Sequence, residues 1–133
     1  MTQFDLPLAD LEAFRPPREE PADFDAFWAE TLGEARAASW PARFTPLDTD
    51  DTGVTGVEVD DVVFAGFAGH AVRGWLLRPR GASGPLPCVV QYIGYNSGRG
   101  LAHQHTLLPS AGFAVMVMDT RGQSSGALPG ATS

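Results

Sequence analysis

Two short apolar runs, Cys88–Ile93 and Phe113–Met118, constrain this chain more than any other feature. Both are nearly continuous, as expected of strands covered on both faces of a sheet rather than of alternating, half-solvated ones. The 19 residues between them, 94–112, are enough for a helical crossover, so the two runs are expected to be parallel neighbours. That crossover helix is expected within His103–Ala111, with Pro109 in an early turn and Gly112 at its C-terminal cap. Cys88, the only cysteine, reads as a small buried hydrophobe, and alone it makes no intrachain disulfide.

The upstream elements narrow the fold class. Residues 1–20, with Pro7, Pro16 and Pro17, read as an extended strap with one turn of helix near Leu8–Phe14. Phe24, Phe27, Trp28, Leu32 and Ala35 recur at helical spacing and predict a helix over Ala22–Ala38, started by Pro21 and ended before Pro41. Pro46–Gly56, with three aspartates, reads as a solvated loop. Val57–Phe64 and Ala71–Leu77 are strand-like and flank a Gly66–Gly69 turn, which predicts an antiparallel hairpin; Asp60-Asp61 breaks the first run and is expected to mark a bulge. The sequence therefore divides into a helical N-terminal extension, 1–55, and the start of a sheet, 56–133. A hairpin feeding a parallel α/β sheet suggests the α/β-hydrolase architecture, of which this order is expected to be the opening third or so.

The charge excludes some partners. All nine basic residues are arginine, and 16 acidic residues leave a net charge of −7. A field of that sign repels phosphate backbones and anionic lipid, so nucleic acid and membrane surfaces are not expected partners, whereas a small neutral substrate is indifferent to it. No window approaches the ~18 apolar residues of a membrane span. The start, M-T-Q-F-D-L-P-L, has no signal-peptide pattern, and a cytoplasmic location is expected.

The loop Gly94-Tyr95-Asn96-Ser97-Gly98-Arg99-Gly100 follows the first buried run and invites a functional reading. It lacks the Lys of a phosphate-binding P-loop, and its glycines have the wrong spacing for a dinucleotide fingerprint. It could be a tight turn whose glycines take positive φ. Its position also matches the α/β-hydrolase loop that supplies one backbone N–H of the oxyanion hole. Such donors stabilise the charge that develops on an ester oxygen when the carbonyl becomes tetrahedral. On that reading Gly94 makes the bend and Tyr95 offers its amide.

Gln91-Tyr92-Ile93-Gly94-Tyr95-Asn96, then Gly98-Arg99-Gly100, then Met118-Asp119-Thr120-Arg121-Gly122-Gln123, resemble the acetyl xylan esterase / cephalosporin C deacetylase family. Phe4-Asp5-Leu6-Pro7-Leu8 and Asp23-Phe24-Asp25-Ala26-Phe27-Trp28 are similar to that family's opening. The resemblance implies a serine esterase that removes acetyl groups from xylo-oligosaccharides and cephalosporin C. It implies a Ser–His–Asp triad without a cofactor, a cytoplasmic location and a homo-oligomer, hexameric in the family. The family's oxyanion tyrosine falls on Tyr95, whose ring would help confine an acetyl-sized pocket.

One motif points elsewhere and is expected to mislead. Gly122-Gln123-Ser124-Ser125-Gly126 fits G-x-S-x-G, but an elbow needs a strand running straight into its serine and a helix leaving it. Four residues separate Ser124 from the strand end at Asp119, and Ser125–Gly130 has loop composition. The resemblance puts the nucleophile on a later strand. His70, His103 and His105 precede the elbow's place, contrary to the order Ser, acid, His. His103 and His105 lack a third ligand for metal. Asp119 is expected to hold a turn or pair with Arg121, and Trp28, Trp40 and Trp75 to serve packing rather than form a sugar platform. The 133-residue chain is thus expected to be the N-terminal part of an acetyl ester hydrolase, with its triad beyond Ser133 and no activity alone. A non-catalytic remnant or interaction subunit, with Phe113–Met118 as an uncovered edge strand, is one alternative. Another α/β-hydrolase, such as a dienelactone hydrolase relative, is a second.

Overall fold

β-Branched residues dominate Val57–Ala65 (β2) and occur in Ala71–Pro79 (β3), and the two strands form a long antiparallel hairpin. The computed structural model describes residues 5–17, 19–95 and 97–120. Contacts divide the chain into two units, Met1–Leu32 and Gly33–Ser133.

In the first unit, Leu8–Ala13 forms α1, the expected single turn of helix. The predicted helix follows as α2, Phe24–Ala37, whose body continues into the second unit. Its aromatic residues recur at the expected spacing, and Trp28 meets Phe24 and Phe27 edge-on, with ring centres 6.3 and 5.5 Å apart. Its apolar face is not buried, however, and Phe27 remains 56% exposed.

The second unit is a five-stranded sheet in the order β1-β2-β3-β5-β4. Its first strand, β1 (Arg43–Leu47), has no counterpart in the sequence reading because Pro46 sits inside it. Proline lacks the N–H of a ladder and is tolerated on an edge strand, which β1 is. One turn of helix, α3 (Thr49–Thr52), occupies the aspartate-rich loop and ends at Gly53, φ +67°. Asp60-Asp61 makes no bulge: Val57–Ala65 pairs residue for residue with Ala71–Pro79. Both carboxylates are instead taken up across the hairpin. Asp60, 4% exposed, accepts a 2.8 Å hydrogen bond from Arg78, while Asp61 faces Arg73 at 3.5 Å. Each arginine is the diagonal neighbour of its aspartate, so the pairs lie on opposite faces of the sheet.

The two apolar runs form β4 (Cys88–Tyr92) and β5 (Ala114–Met118), parallel and adjacent as expected. Their connection departs from the prediction. A 3-10 turn at Ala102–His105 is followed by a short helix, α4 (Leu107–Ser110), and no continuous helix forms. Inside a continuous helix the Pro109 ring would clash with the His105 carbonyl four residues back. Broken at Thr106, the chain instead places Pro109 in the first turn of α4, and Gly112 follows at φ +96°.

Strand order also corrects the burial of β4. β5 inserts between β3 and β4, so the edge strand is β4 rather than Phe113–Met118. Val115 and Val117 are fully buried, whereas Val90 is 48% and Tyr92 78% exposed and Cys88 is exposed. Cys88, Val90 and Tyr92 alternate onto one face, which no described element of the second unit covers. The core lies on the opposite face, where Val57, Val59, Leu77, Val115 and Val117 pack with Ala102. Burial of each large side chain there contributes on the order of 1.5–3 kcal/mol.

Candidate functional site

The strand end at Tyr92 releases the chain into the loop singled out from the sequence. Ile93 packs against the core and holds the near end of the loop. Gly94 and Tyr95 then leave the surface, Tyr95 with 93% of its area exposed. The Ser97 hydroxyl closes the turn by donating to the Gly94 carbonyl at 2.9 Å. No acceptor among the described residues takes the Tyr95 amide. Asn96 lies outside the described residues.

The glycines do not share one role. Gly94 has no positive φ, and a Cβ built on it would meet no atom within 4 Å. Among the described residues of this loop the left-handed one is Gly100, φ +61°, where a Cβ would collide with the Gln104 side chain. There Gln104 Oε1 accepts a 2.8 Å hydrogen bond from the Leu101 amide, and the lack of a side chain on Gly100 is what lets it approach.

The far end of the loop is fixed by Arg99, whose side chain is only 12% exposed. Its guanidinium stacks 3.5 Å from the centre of the Trp75 ring. Nη1 donates to Asp61 Oδ1 at 2.5 Å and to the Gly74 carbonyl at 2.7 Å, and Nε lies 3.8 Å from Asp119 Oδ2. The backbone of Arg99 is held as firmly. Its amide donates to Asp119 Oδ1 at 2.6 Å, and its carbonyl lies 2.8 Å from His105 Nε2. Trp75 Nε1 donates to the next carbonyl, that of Gly100, at 3.0 Å.

The sheet register explains why these groups meet. Asp61 lies opposite Trp75, Trp75 opposite Val117, and Val117 opposite Gln91, so all four stand in one row on one face. The loop after β4 crosses the end of that row and lays Arg99 on it. Asp119, 6% exposed, continues β5 and donates its own amide to the Arg73 carbonyl at 2.8 Å. Two carboxylates, Asp61 and Asp119, thus face Arg99, while Arg73 balances the outer side of Asp61. Taking one partner from so enclosed a pair costs about 3–5 kcal/mol, because the other is left as an uncompensated charge.

The remaining sequence candidates are dispersed. His70 is exposed in the β2–β3 turn, with its backbone bonded to Gly66 and Phe67. His103 is exposed, while His105 is committed to the Arg99 carbonyl. Among the described residues no three His, Cys, Asp or Glu side chains gather around a point. Trp40 donates to the Gly69 carbonyl at 3.0 Å, with Arg43 over its ring at 5.3 Å. Arg121 and the Gly122–Gly126 segment with Ser124 lie outside the described residues. Sequence reading missed the joining of Arg99, Asp61, Trp75 and Asp119. Its available signals were the arginine between two glycines and an aspartate on an otherwise apolar strand face.

The acetyl xylan esterase (AXE1) family model matches residues 1–132. Two solved structures show the same fold. The acetyl xylan esterase from Paenibacillus sp. R4 superposes with a TM-score of 0.79 at 28% identity, over 94% of this chain and 43% of that one. Acetyl xylan esterase 1 from Thermoanaerobacterium sp. JW/SL YS485 superposes with a TM-score of 0.77 at 28% identity, over 98% of this chain and 40% of that one. The chain thus spans about two fifths of the length of either enzyme.

Proposed function

The chain belongs to the acetyl xylan esterase family, and from that premise we propose that it supplies the N-terminal part of an acetyl ester hydrolase of the α/β-hydrolase fold. The match over residues 1–132 carries this reading and leaves no weight on a dienelactone hydrolase relative. The substrate class is a small acetylated compound, neutral acetylated xylo-oligosaccharide first and cephalosporin C second.

In the proposed reaction a serine hydroxyl attacks the acetyl carbonyl, and a histidine oriented by an aspartate takes its proton. The carbonyl oxygen gathers negative charge as the carbon becomes tetrahedral. The Tyr95 amide donates to that oxygen, and Gly94 keeps the approach open. Collapse expels the sugar hydroxyl, protonated by the histidine, and leaves an acetyl-serine that water hydrolyses to acetate. The triad is assigned to sequence beyond this chain, and no cofactor enters the scheme. Two features support the role of Tyr95: its position directly after β4, and an amide that no described residue accepts. A cytoplasmic location and a homo-oligomer, hexameric by the family resemblance, belong to the same proposal. Among the described residues no helix is long and apolar enough to cross a membrane.

The deciding measurement is acetate release from acetylated xylo-oligosaccharides by the full open reading frame that carries this chain. Release that disappears on treatment with a serine-directed organophosphate is the expected result; absence of release defeats the proposal. A second reading, a non-catalytic chain that binds a partner along its sheet edge, is favoured by the exposed residues of β4.

A further inference from the structure

Among the described residues, the Gly94–Tyr95 turn contains nothing of its own that aims the Tyr95 amide. Gly94 touches no neighbour that a Cβ would meet, Tyr95 is 93% exposed, and the only described hydrogen bond inside the turn is that from the Ser97 hydroxyl. An oxyanion donor must nevertheless be held to within about half an ångström, which requires a supporting shell on rigid elements. At the near end that support is Ile93 in the core. At the far end Trp75 holds the Gly100 carbonyl and Gln104 the Leu101 amide, and the residue next to them, Arg99, gathers the most restraints.

We propose that Arg99 is the positioning residue of this loop, and that it sets the direction of the Tyr95 amide by clamping the loop to β2, β3 and β5 together. The proposal rests on the esterase reading for what the amide does, but the clamp stands on geometry alone. One side chain reaches Asp61 on β2, the Gly74 carbonyl and Trp75 ring on β3, and Asp119 after β5. The Arg99 amide and carbonyl are bonded independently, to Asp119 and His105. Only a planar guanidinium lies flat on an indole while pointing separate N–H groups at a carboxylate and a carbonyl; an ammonium has the charge without the fork. Gly74 contributes its carbonyl. A Cβ there would point to the face opposite Trp75 and meet the Val117 carbonyl at 2.7 Å, a sign of how closely β3 and β5 approach.

The test uses Arg99→Ala and Arg99→Lys in the full open reading frame, with p-nitrophenyl acetate as the kinetic probe. Misplacement of the donor by about an ångström predicts a fall in kcat of about 10²-fold, with KM little changed. Arg99→Lys keeps the fold and most of the charge but recovers little of the rate. Guanidinium at sub-denaturing concentration restores activity to Arg99→Ala, while sodium at the same ionic strength does not. Amide hydrogen exchange rises far more over residues 93–101 than in β2 and β3, where it follows only the global loss of stability. The inference is overturned by wild-type kcat in both variants, by full recovery in Arg99→Lys, or by protection lost equally across the hairpin. If the wild-type frame does not hydrolyse the ester, the esterase reading fails on its own. Exchange over 93–101 then decides the clamp: a rise larger in the loop than in β2 and β3 supports it, and a rise no larger there removes it.

Discussion

The indole Nε1–H of Trp75 donates a 3.0 Å hydrogen bond to the carbonyl of Gly100, joining the middle of β3 to the end of a loop 25 residues later. Its ring also carries the Arg99 guanidinium. Trp75→Phe keeps an aromatic face and removes the donor, leaving a partly buried carbonyl unpaired. The expected loss is about 1–3 kcal/mol of stability, read as a lower urea midpoint with an unchanged slope. An unaltered midpoint would show that solvent replaces the indole without cost.

Gly74→Ala is expected to be more damaging than its small size suggests. The new methyl would sit 2.7 Å from both the Val117 carbonyl and the Met116 Cε. The methionine can swing away, but the carbonyl belongs to the β5 backbone and yields only if β3 and β5 separate. The expected destabilisation is about 1–3 kcal/mol. Gly94→Ala, which meets no atom within 4 Å, is the control. Its midpoint should match the parent, and equal effects of the two substitutions would contradict the close approach of β3 and β5.

Tyr95→Pro removes the backbone N–H proposed to face the developing oxyanion, while Tyr95→Phe keeps it. In the full open reading frame, loss of one such donor lowers kcat by about 10²–10³-fold. Tyr95→Phe should stay near the parent rate. A rate that follows the ring hydroxyl rather than the amide would assign Tyr95 a different task.

Ser124→Ala should leave acetyl ester turnover by the full open reading frame unchanged, because five residues, 119–123, separate the serine from the end of β5 at Met118 and loop composition follows it. For the same reason the 133-residue chain assayed alone should release no acetate. Turnover by the isolated chain that vanishes in Ser124→Ala would make this serine the nucleophile after all.

The uncovered edge should show itself in solution. β4 ends the sheet and exposes Val90 and Tyr92 on one face, a template for pairing with another chain. The isolated chain is expected to self-associate with concentration in size-exclusion chromatography. Val90→Lys, a charge on that exposed face, should shift the profile toward monomer. A sharp monomer peak from the unmodified chain at all concentrations would show that the edge is harmless.

Much of the fold was readable locally. The helix at α2, the hairpin and the two parallel strands arise from apolar spacing and turn residues within short windows, and the structure reproduces them. β1 escaped because Pro46 argues against a strand wherever the edge position is unknown. The crossover lost its continuity to a proline whose i−4 clash depends on where the helix starts. At the site, the loop and its glycines were visible, but the positive φ belongs to Gly100 and not to Gly94.

By itself, then, the sequence determined the helix at α2, the β2–β3 hairpin and that Cys88–Tyr92 and Ala114–Met118 run in parallel, because backbone preference and side-chain periodicity are properties of neighbouring residues. Only the tertiary structure decided that β5 lies between β3 and β4, which leaves the apolar run of β4 exposed at an edge. It alone brought Asp61 to Arg99 across 38 residues and gave Asp119 to Arg99. Those partners are chosen by strand register, and register is set by pairing between distant segments, which no local pattern encodes.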